Sequence, residues 1–134
     1  MHPETLFKAV ELANRLSHVF VATADVEGTP HVAAAGGLEL ESPDHIAVSS
    51  WFCPTTVANV EANPRVALVI WDPDSDLGYQ ILGDTSPPRD TAILNGYSSD
   101  LEQKAPIPQI ERQLLVRVNN IVAFSHAPHS DKEE

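Results

Sequence analysis

A run of hydroxyl side chains stands where a predicted strand passes into a predicted helix. Ser49 and Ser50 end the strand, and Thr55 and Thr56 lie in the first turn of the helix that begins at Pro54. The first N–H groups of a helix lack intrahelical partners and the dipole is positive there, so anions bind at such positions. Hydroxyl side chains are also ordinary helix caps. These residues alone favour capping over phosphate binding.

A glutamine and a hairpin are two further candidates for ligand binding. Gln80 lies in the otherwise apolar segment 78–83, and its amide must pair either with backbone or with the donor–acceptor edge of a planar ligand. Backbone pairing is slightly favoured by the residues alone. Residues 28–33 form a turn that runs into a strand and present His31 at its start.

The single cysteine and the histidines offer other chemistry. Cys53 precedes the same helix start, a position that can lower the pKa of a thiol, although a small buried thiol is the commoner outcome. His126 and His129 are three residues apart, but Ala127 and Pro128 indicate a loop, and no third ligand stands near them. We therefore expect no metal site. Hydrolase, nucleotide-binding and dithiol motifs are absent from the sequence.

Composition limits the class of protein. The chain has 134 residues and a net charge of −11, from 8 basic and 19 acidic side chains. Such a surface repels nucleic acid and anionic lipid. One cysteine excludes an internal disulfide framework, and neither a signal peptide nor a membrane span is visible in the sequence. We expect a soluble cytoplasmic protein with one domain, residues 1–125, and a polar tail, residues 126–134.

Hydrophobic periodicity predicts mostly strands. An opening helix runs from Pro3 to about Ser17, and a second spans 54–63. A third helix is predicted over 89–101. Strands are predicted at 18–24, 30–35, 38–41, 45–51, 66–71, 79–83 and 114–124, with a bulge at Asn119 and Asn120. Short turns between them favour antiparallel pairing, so the fold class is α+β: a mainly β, partly closed barrel flanked by helices. Strands that are apolar on both faces indicate a dimer.

The order of these segments resembles the pyridoxamine 5'-phosphate oxidase-like FMN-binding split barrels. The similarity is carried by residues 21–25, 28–32, 56–68, 78–83 and 116–118. The resemblance implies a split barrel of about six antiparallel strands and a homodimer with two FMN sites at its interface. It implies that the strand after the first turn lies along the flavin, and that the end of the strand before the short helix and the start of that helix contact the phosphate. It also implies that a later strand approaches the ring. The residues along the flavin are His31, Val32, Ala33, Ala34 and Ala35. The residues at the phosphate are Ser49, Ser50, Thr55 and Thr56, and the residue that approaches the ring is Gln80.

The chain departs from that family in two places. Thr55 and Thr56 stand where members commonly carry Arg or Lys, so the phosphate would rely on hydroxyls, helix N–H groups, and Arg65 or Arg117. We therefore expect weaker FMN retention than in members with the basic pair. The C-terminal segment also lacks the Arg- and Trp-rich sequence of true pyridoxamine phosphate oxidases, which argues against that substrate.

The resulting hypothesis is an FMN-dependent oxidoreductase or electron carrier. The partners would be a small-molecule or nicotinamide electron donor and a second copy of the chain. Tyr79, Cys53 and His31 are the candidate proton donors, and no catalytic residue is assigned. The alternatives are a non-catalytic dimeric module that binds F420, haem or no cofactor, and a thiol redox protein that uses Cys53.

Overall fold

The computed structural model describes residues 3–51, 54–86, 89–93 and 110–127. Helix α1 spans Pro3–Leu16 and starts with Pro3 and Glu4, which suit the first turn of a helix. It ends at Ser17, whose φ of 63° is left-handed and stops helical hydrogen bonding. Its buried face consists of Leu6, Ala9, Val10, Leu12 and Ala13. The predicted opening helix is confirmed.

Eight strands and a second helix follow in the described residues. They are β1 Val19–Ala24, β2 Pro30–Ala35, β3 Gly37–Ser42, β4 His45–Trp51, α2 Pro54–Ala62, β5 Arg65–Asp72, β6 Leu77–Thr85, β7 Arg89–Ile93 and β8 Ile110–Ala123. The strand order is β2-β1-β5-β6-β8-β4-β3, with β7 paired to β8, and all these pairs are antiparallel. Strands β2 and β3 end the order without pairing to each other, so the barrel is split. The predicted fold class is confirmed, with eight strands rather than about six.

The core lies on the inner face of this curved sheet, beneath α1. Strand alternation sends every second side chain inward, as in β5, where Val66, Leu68 and Ile70 are buried. The core side chains of the sheet come from β1 to β6 and from β8, and α1 packs against β3, β5 and β6. A single core of this kind leaves the opposite face of the sheet for other contacts.

The last strand changes its phase at the predicted bulge. Leu82 of β6 pairs with Asn120, whereas the next residue, Gly83, pairs with Val118. Asn119 is therefore the extra residue, and Val118 and Ile121 both face the core. The bulge prediction is confirmed.

The third predicted helix is wrong where the structure describes it. Residues Arg89–Ile93 form strand β7, which pairs with the first residues of β8, and the rest of the expected helix, residues 94–101, lies outside the described part. The backbone groups at the start of β8 gain hydrogen bonds from this pairing. Tertiary pairing therefore overrides a weak helical preference that rested on Ala92, Ile93 and Leu94.

Asn14 fixes the point where β2 passes into β3. Its side chain donates to the carbonyl of Leu38 at 3.0 Å and accepts from the amide of Leu38 at 3.2 Å. A Cβ on Gly37 would lie 2.8 Å from the side-chain oxygen of Asn14, so any side chain there would require Asn14 to shift. These two hydrogen bonds join α1 to the start of β3.

The carboxylate of Asp76 binds the chain that follows β8. It accepts hydrogen bonds from the amides of His126 at 2.7 Å and Ala127 at 2.9 Å, and from the indole N–H of Trp71 at 2.9 Å. The ring of Phe124 meets Trp71 edge-on with centroids 6.2 Å apart. The start of the predicted tail is thus held against the β5–β6 turn, while the division into residues 1–125 and 126–134 stays a prediction.

We expect Asp76 to make folding stability depend on acidity. The amide of His126, then the indole of Trp71, hold the pKa of Asp76 below its usual value. A carboxyl whose folded pKa is depressed stabilises the fold above its unfolded pKa, and that contribution is lost as the pH falls through the folded pKa. Asp76→Asn should therefore lower stability at neutral pH and flatten the acid limb of the stability curve.

Chemical denaturation of the full chain between neutral and acid pH measures this effect. Asp74→Asn is the matched control, because Asp74 is exposed in the same turn and its side chain accepts no hydrogen bond from the described residues. An acid limb that is equally steep in the wild type and in Asp76→Asn would contradict the role of this carboxylate.

Candidate functional site

Helix α2 packs onto β1 and β2 over a small set of buried polar side chains. Thr23 of β1, and Thr56 and Asn59 of α2, are all buried. The side-chain amide of Asn59 donates to the hydroxyl of Thr23 at 3.0 Å. Thr56 is only 1% exposed, and its hydroxyl oxygen has no hydrogen-bond partner within the described part of the chain.

A buried hydroxyl without a partner is costly in a folded protein. Thr56 carries it in the first turn of a nine-residue helix, where the backbone N–H groups also lack intrahelical partners. Thr55 is exposed in the same turn. The start of α2 therefore combines unpaired helix N–H groups with one exposed and one buried hydroxyl, which are donors that an anionic or hydroxyl-rich ligand could use.

The five candidate residues of β2 lie on two faces of the sheet. Their burial alternates: His31, Ala33 and Ala35 face the inner side with Thr23, whereas Val32 and Ala34 face outward. Only the inward residues lie on the side that α2 covers. His31 stands directly opposite Thr23 in the β1–β2 register, and its Nδ1 atom is buried.

The outward side of the sheet is a broad apolar surface that we call the outer face. It consists of Phe20, Ala22, Val32, Ala34, Ala67, Val69, Gln80, Leu82 and Val122. Phe20 is 41% exposed and Val32 is 61% exposed, and with their apolar neighbours they form a contiguous exposed patch. Gln80 is paired with Val69 on one side and Val122 on the other, so its amide lies amid apolar neighbours.

The structure brings some predicted site residues together and separates others. Strand β2 contacts both α2 and β4. The backbone of Ser49 pairs with Gly37, while the side chains of Ser49 and Ser50 lie outside the described part. Gln80 is three strands from Ala34, or about 14 Å at the usual strand spacing. The candidate residues of one chain therefore do not surround a single small site.

The other candidates lie elsewhere. Tyr79 faces inward and lines a groove of 540 Å³ between α1 and β6, together with Lys8 and Arg15. Cys53 and His129 are outside the described residues. The described ranges hold no group of three His, Cys, Asp or Glu side chains that could bind a metal, and no helix there is long and apolar enough to cross a membrane.

Sequence reasoning missed Thr23, Asn59 and Phe20. Asn59 follows Thr56 by three residues, so the two share one side of α2, and this spacing could have been read from the sequence. Thr23 has the same phase as buried Val19 and Val21. Phe20 carries no signal of its own, because only the tertiary structure shows which phase of a doubly apolar strand faces outward.

An open antiparallel barrel with a short helix over its first hairpin defines the split-barrel class. The family model described as pyridoxamine 5'-phosphate oxidase matches residues 8–119, and the chain belongs to that family. Comparison with curated protein sequences gives no match.

Solved structures share the fold at low sequence identity. An FMN-binding protein from Syntrophomonas wolfei superposes with a TM-score of 0.70 at 20% identity, covering 96% of this chain and 91% of the other. HupZ from Group A Streptococcus gives 0.65 at 16% identity over 92% and 97%. A protein described as an F420 reductase gives 0.59 at 20% identity over 83% and 93%. These similarities support the split-barrel fold.

Proposed function

We propose that the protein is an FMN-binding flavoprotein that acts as a dimeric oxidoreductase or electron carrier. The observation that carries the proposal is the buried, unpartnered hydroxyl of Thr56 at the start of α2, in a chain of this family. A ligand oxygen would give this hydroxyl the partner that the described protein residues do not provide. The similarity to an FMN-binding protein favours a flavin as that ligand.

The phosphate end of the flavin would lie at the start of α2. Thr56 would donate its hydroxyl hydrogen, and the N–H groups of the first turn would add further donors. Thr55, Ser49 and Ser50 would stand at the mouth of this cradle, and His31 would lie on its β2 side. Burial by α2 would exclude water from these hydrogen bonds and strengthen them.

The ring of the flavin would lie at the outer face, reached from the cradle round the edge strand β2, against a second copy of the chain. Val32 and Ala34 present apolar side chains for it, and the amide of Gln80 could pair with the polar edge of the ring. Gln80 lies about 14 Å from β2 along the sheet. This separation fits a site completed by two chains, in which β2 comes from one protomer and Gln80 from the other.

Bound FMN would supply hydride acceptance and electron transfer. The residues of this chain would position the ring and exclude water. A small-molecule or nicotinamide donor would deliver electrons, and a cytoplasmic location fits this chemistry. Tyr79 and His31 both lie on the inner side of the sheet, away from Gln80, so this geometry favours neither as the proton donor. The similarity to an F420 reductase keeps a deazaflavin as the second candidate ligand.

Titration of the apo protein with FMN tests the proposal. We expect flavin fluorescence to be quenched, and Thr56→Val to weaken FMN binding about tenfold, the value of one hydrogen bond of about 1.5 kcal/mol to a charged acceptor. Thr56→Val is nearly isosteric and removes an unsatisfied hydroxyl, so the stability of the apo protein should not fall.

Two readouts separate function from structure. A loss of apo stability in Thr56→Val without a loss of binding would assign the hydroxyl to the fold. No quenching by FMN at high micromolar protein would refute the flavin assignment. Bleaching of the bound flavin by NADH or NADPH would favour an oxidoreductase, and a colourless dimer indifferent to FMN, F420 and haem would favour a non-catalytic module.

A further inference from the structure

We infer that the described residues of this chain offer the phosphate only neutral donors, so that the site accepts riboflavin almost as well as FMN. This inference rests on the proposed function and names what the site selects: the ring and the ribityl chain rather than the terminal charge. Phosphate groups in proteins are ordinarily bound by Arg or Lys. The described donors at the start of α2 are uncharged instead.

The donors at the start of α2 carry no full charge. Thr56 offers a hydroxyl that is fully buried, and Thr55 is an exposed hydroxyl one residue earlier. The helix end contributes about half a positive charge through its N–H groups. These groups form hydrogen bonds with a phosphate, but they offset only a small part of its two negative charges.

The two arginines that the sequence suggested for the phosphate lie beside Asp84, away from the start of α2. Arg117 pairs with Asp84 at 3.4 Å, and Arg65 stands opposite Asp84 in the β5–β6 register. Arg65 also follows the last turn of α2, so a helix of nine residues, about 13 Å long, separates it from the cradle. Neither side chain lies at the start of α2 in its own protomer.

The remaining cations with described side chains belong to α1. Arg15 lies 3.8 Å from Asp72, and Lys8 lines the groove between α1 and β6. The whole chain carries a net charge of −11, which opposes the approach of a phosphate dianion. The hydrogen bonds gained by the phosphate are therefore offset by repulsion and by its loss of water.

This repulsion between the chain and the phosphate predicts an unusual dependence of FMN affinity on salt. Where Lys or Arg binds a phosphate, added salt screens the attraction and weakens binding. Here added salt screens a repulsion, so FMN affinity should stay constant or rise. Riboflavin carries no charge, so its affinity should not respond to this screening.

The experiment is a titration of the full-length apo protein with FMN and with riboflavin, at about 50 and about 500 mM NaCl. We expect the two dissociation constants to agree within tenfold and FMN binding not to weaken at the higher salt. An FMN affinity more than tenfold above that of riboflavin, or a clear weakening by salt, would overturn the inference.

A charge insertion tests the same point from the opposite direction. Thr55→Lys places a cation at an exposed position of the cradle and should raise FMN affinity at least tenfold, with the ordinary weakening by salt. Riboflavin affinity should not change. Ser75→Lys, which adds the same charge on the exposed β5–β6 turn, should have little effect on either ligand. An equal gain in both variants would show that only net charge matters and would overturn the role of the cradle.

The outcomes distinguish this inference from the proposed function. If neither flavin binds, the proposed function itself fails. If FMN binds far more tightly than riboflavin, the flavin assignment stands and the neutral cradle fails. Arg112, whose backbone pairs with Trp51 at the end of β4, is then the first residue to replace. A loss of FMN but not riboflavin affinity in Arg112→Gln would overturn the neutral cradle in favour of a cation.

Discussion

Replacing Gly83 with alanine is expected to destabilise the fold by about 3 kcal/mol, and to lower the melting temperature by roughly 10 °C. A Cβ at Gly83 would lie 2.4 Å from the carbonyl oxygen of Arg117 and 2.6 Å from a methyl carbon of Val116. The first of these atoms is backbone in the neighbouring strand, so a rotamer change cannot relieve the contact. The β6–β8 pairing beside the bulge would have to open.

Gly28→Ala is the matched control for this effect. Gly28 has a φ of 85° in the β1–β2 turn, but a Cβ there would meet nothing within 4 Å. Its replacement should cost only about 1 kcal/mol, from the strained backbone. Thermal denaturation of both variants makes the comparison. A melting temperature for Gly83→Ala that is no lower than that of Gly28→Ala would contradict the close approach of β6 and β8.

Placing a charge on the outer face is expected to remove both dimerisation and flavin binding. Val32→Asp would bury an unpartnered carboxylate in the proposed interface, and the dimer should weaken about 100-fold or more. Because Val32 is exposed within one chain, the isolated protomer should keep its fold. Sedimentation at micromolar concentration measures the dimer, and an FMN titration of the same sample measures binding.

Val26→Asp provides the same substitution away from this surface. Val26 is 79% exposed in the β1–β2 turn and is not part of the outer face. The Val26→Asp variant should remain a dimer and bind FMN as the wild type does. If Val32→Asp also stays dimeric, the interface lies elsewhere; if it becomes a monomer that still binds FMN, the site does not need two chains.

Much of the fold could be predicted because its signals are local. The helix start at Pro3, the turn around Gly28 and the break at Asn63-Pro64 are set by backbone preferences of single residues. The β8 bulge was visible because Asn119 and Asn120 interrupt an apolar phase. Strand β7 was not predicted, because its pairing with β8 depends on residues about twenty positions away.

The candidate site likewise has features that the sequence predicts and features that only the tertiary structure shows. Thr55 and Thr56 could be recognised as a helix start from the sequence, but the burial of one and the exposure of the other follow from the packing of α2 on β1 and β2. Likewise, the five β2 candidates formed one segment in the sequence. The sheet assigns His31 to the inner face and Val32 to the outer face.

The sequence by itself determined the acidity, the mainly β pattern, the two helices that the structure describes, and the order of segments that marks the family. These properties follow from composition and from periodicity along the chain. Only the tertiary structure decided which side of each strand faces the core, that Thr56 is buried without a hydrogen-bond partner in the described part of the chain, and that Arg117 pairs with Asp84 while Arg65 stands opposite Asp84 in the register. The physical reason is that burial and charge pairing depend on distances between residues far apart in the sequence.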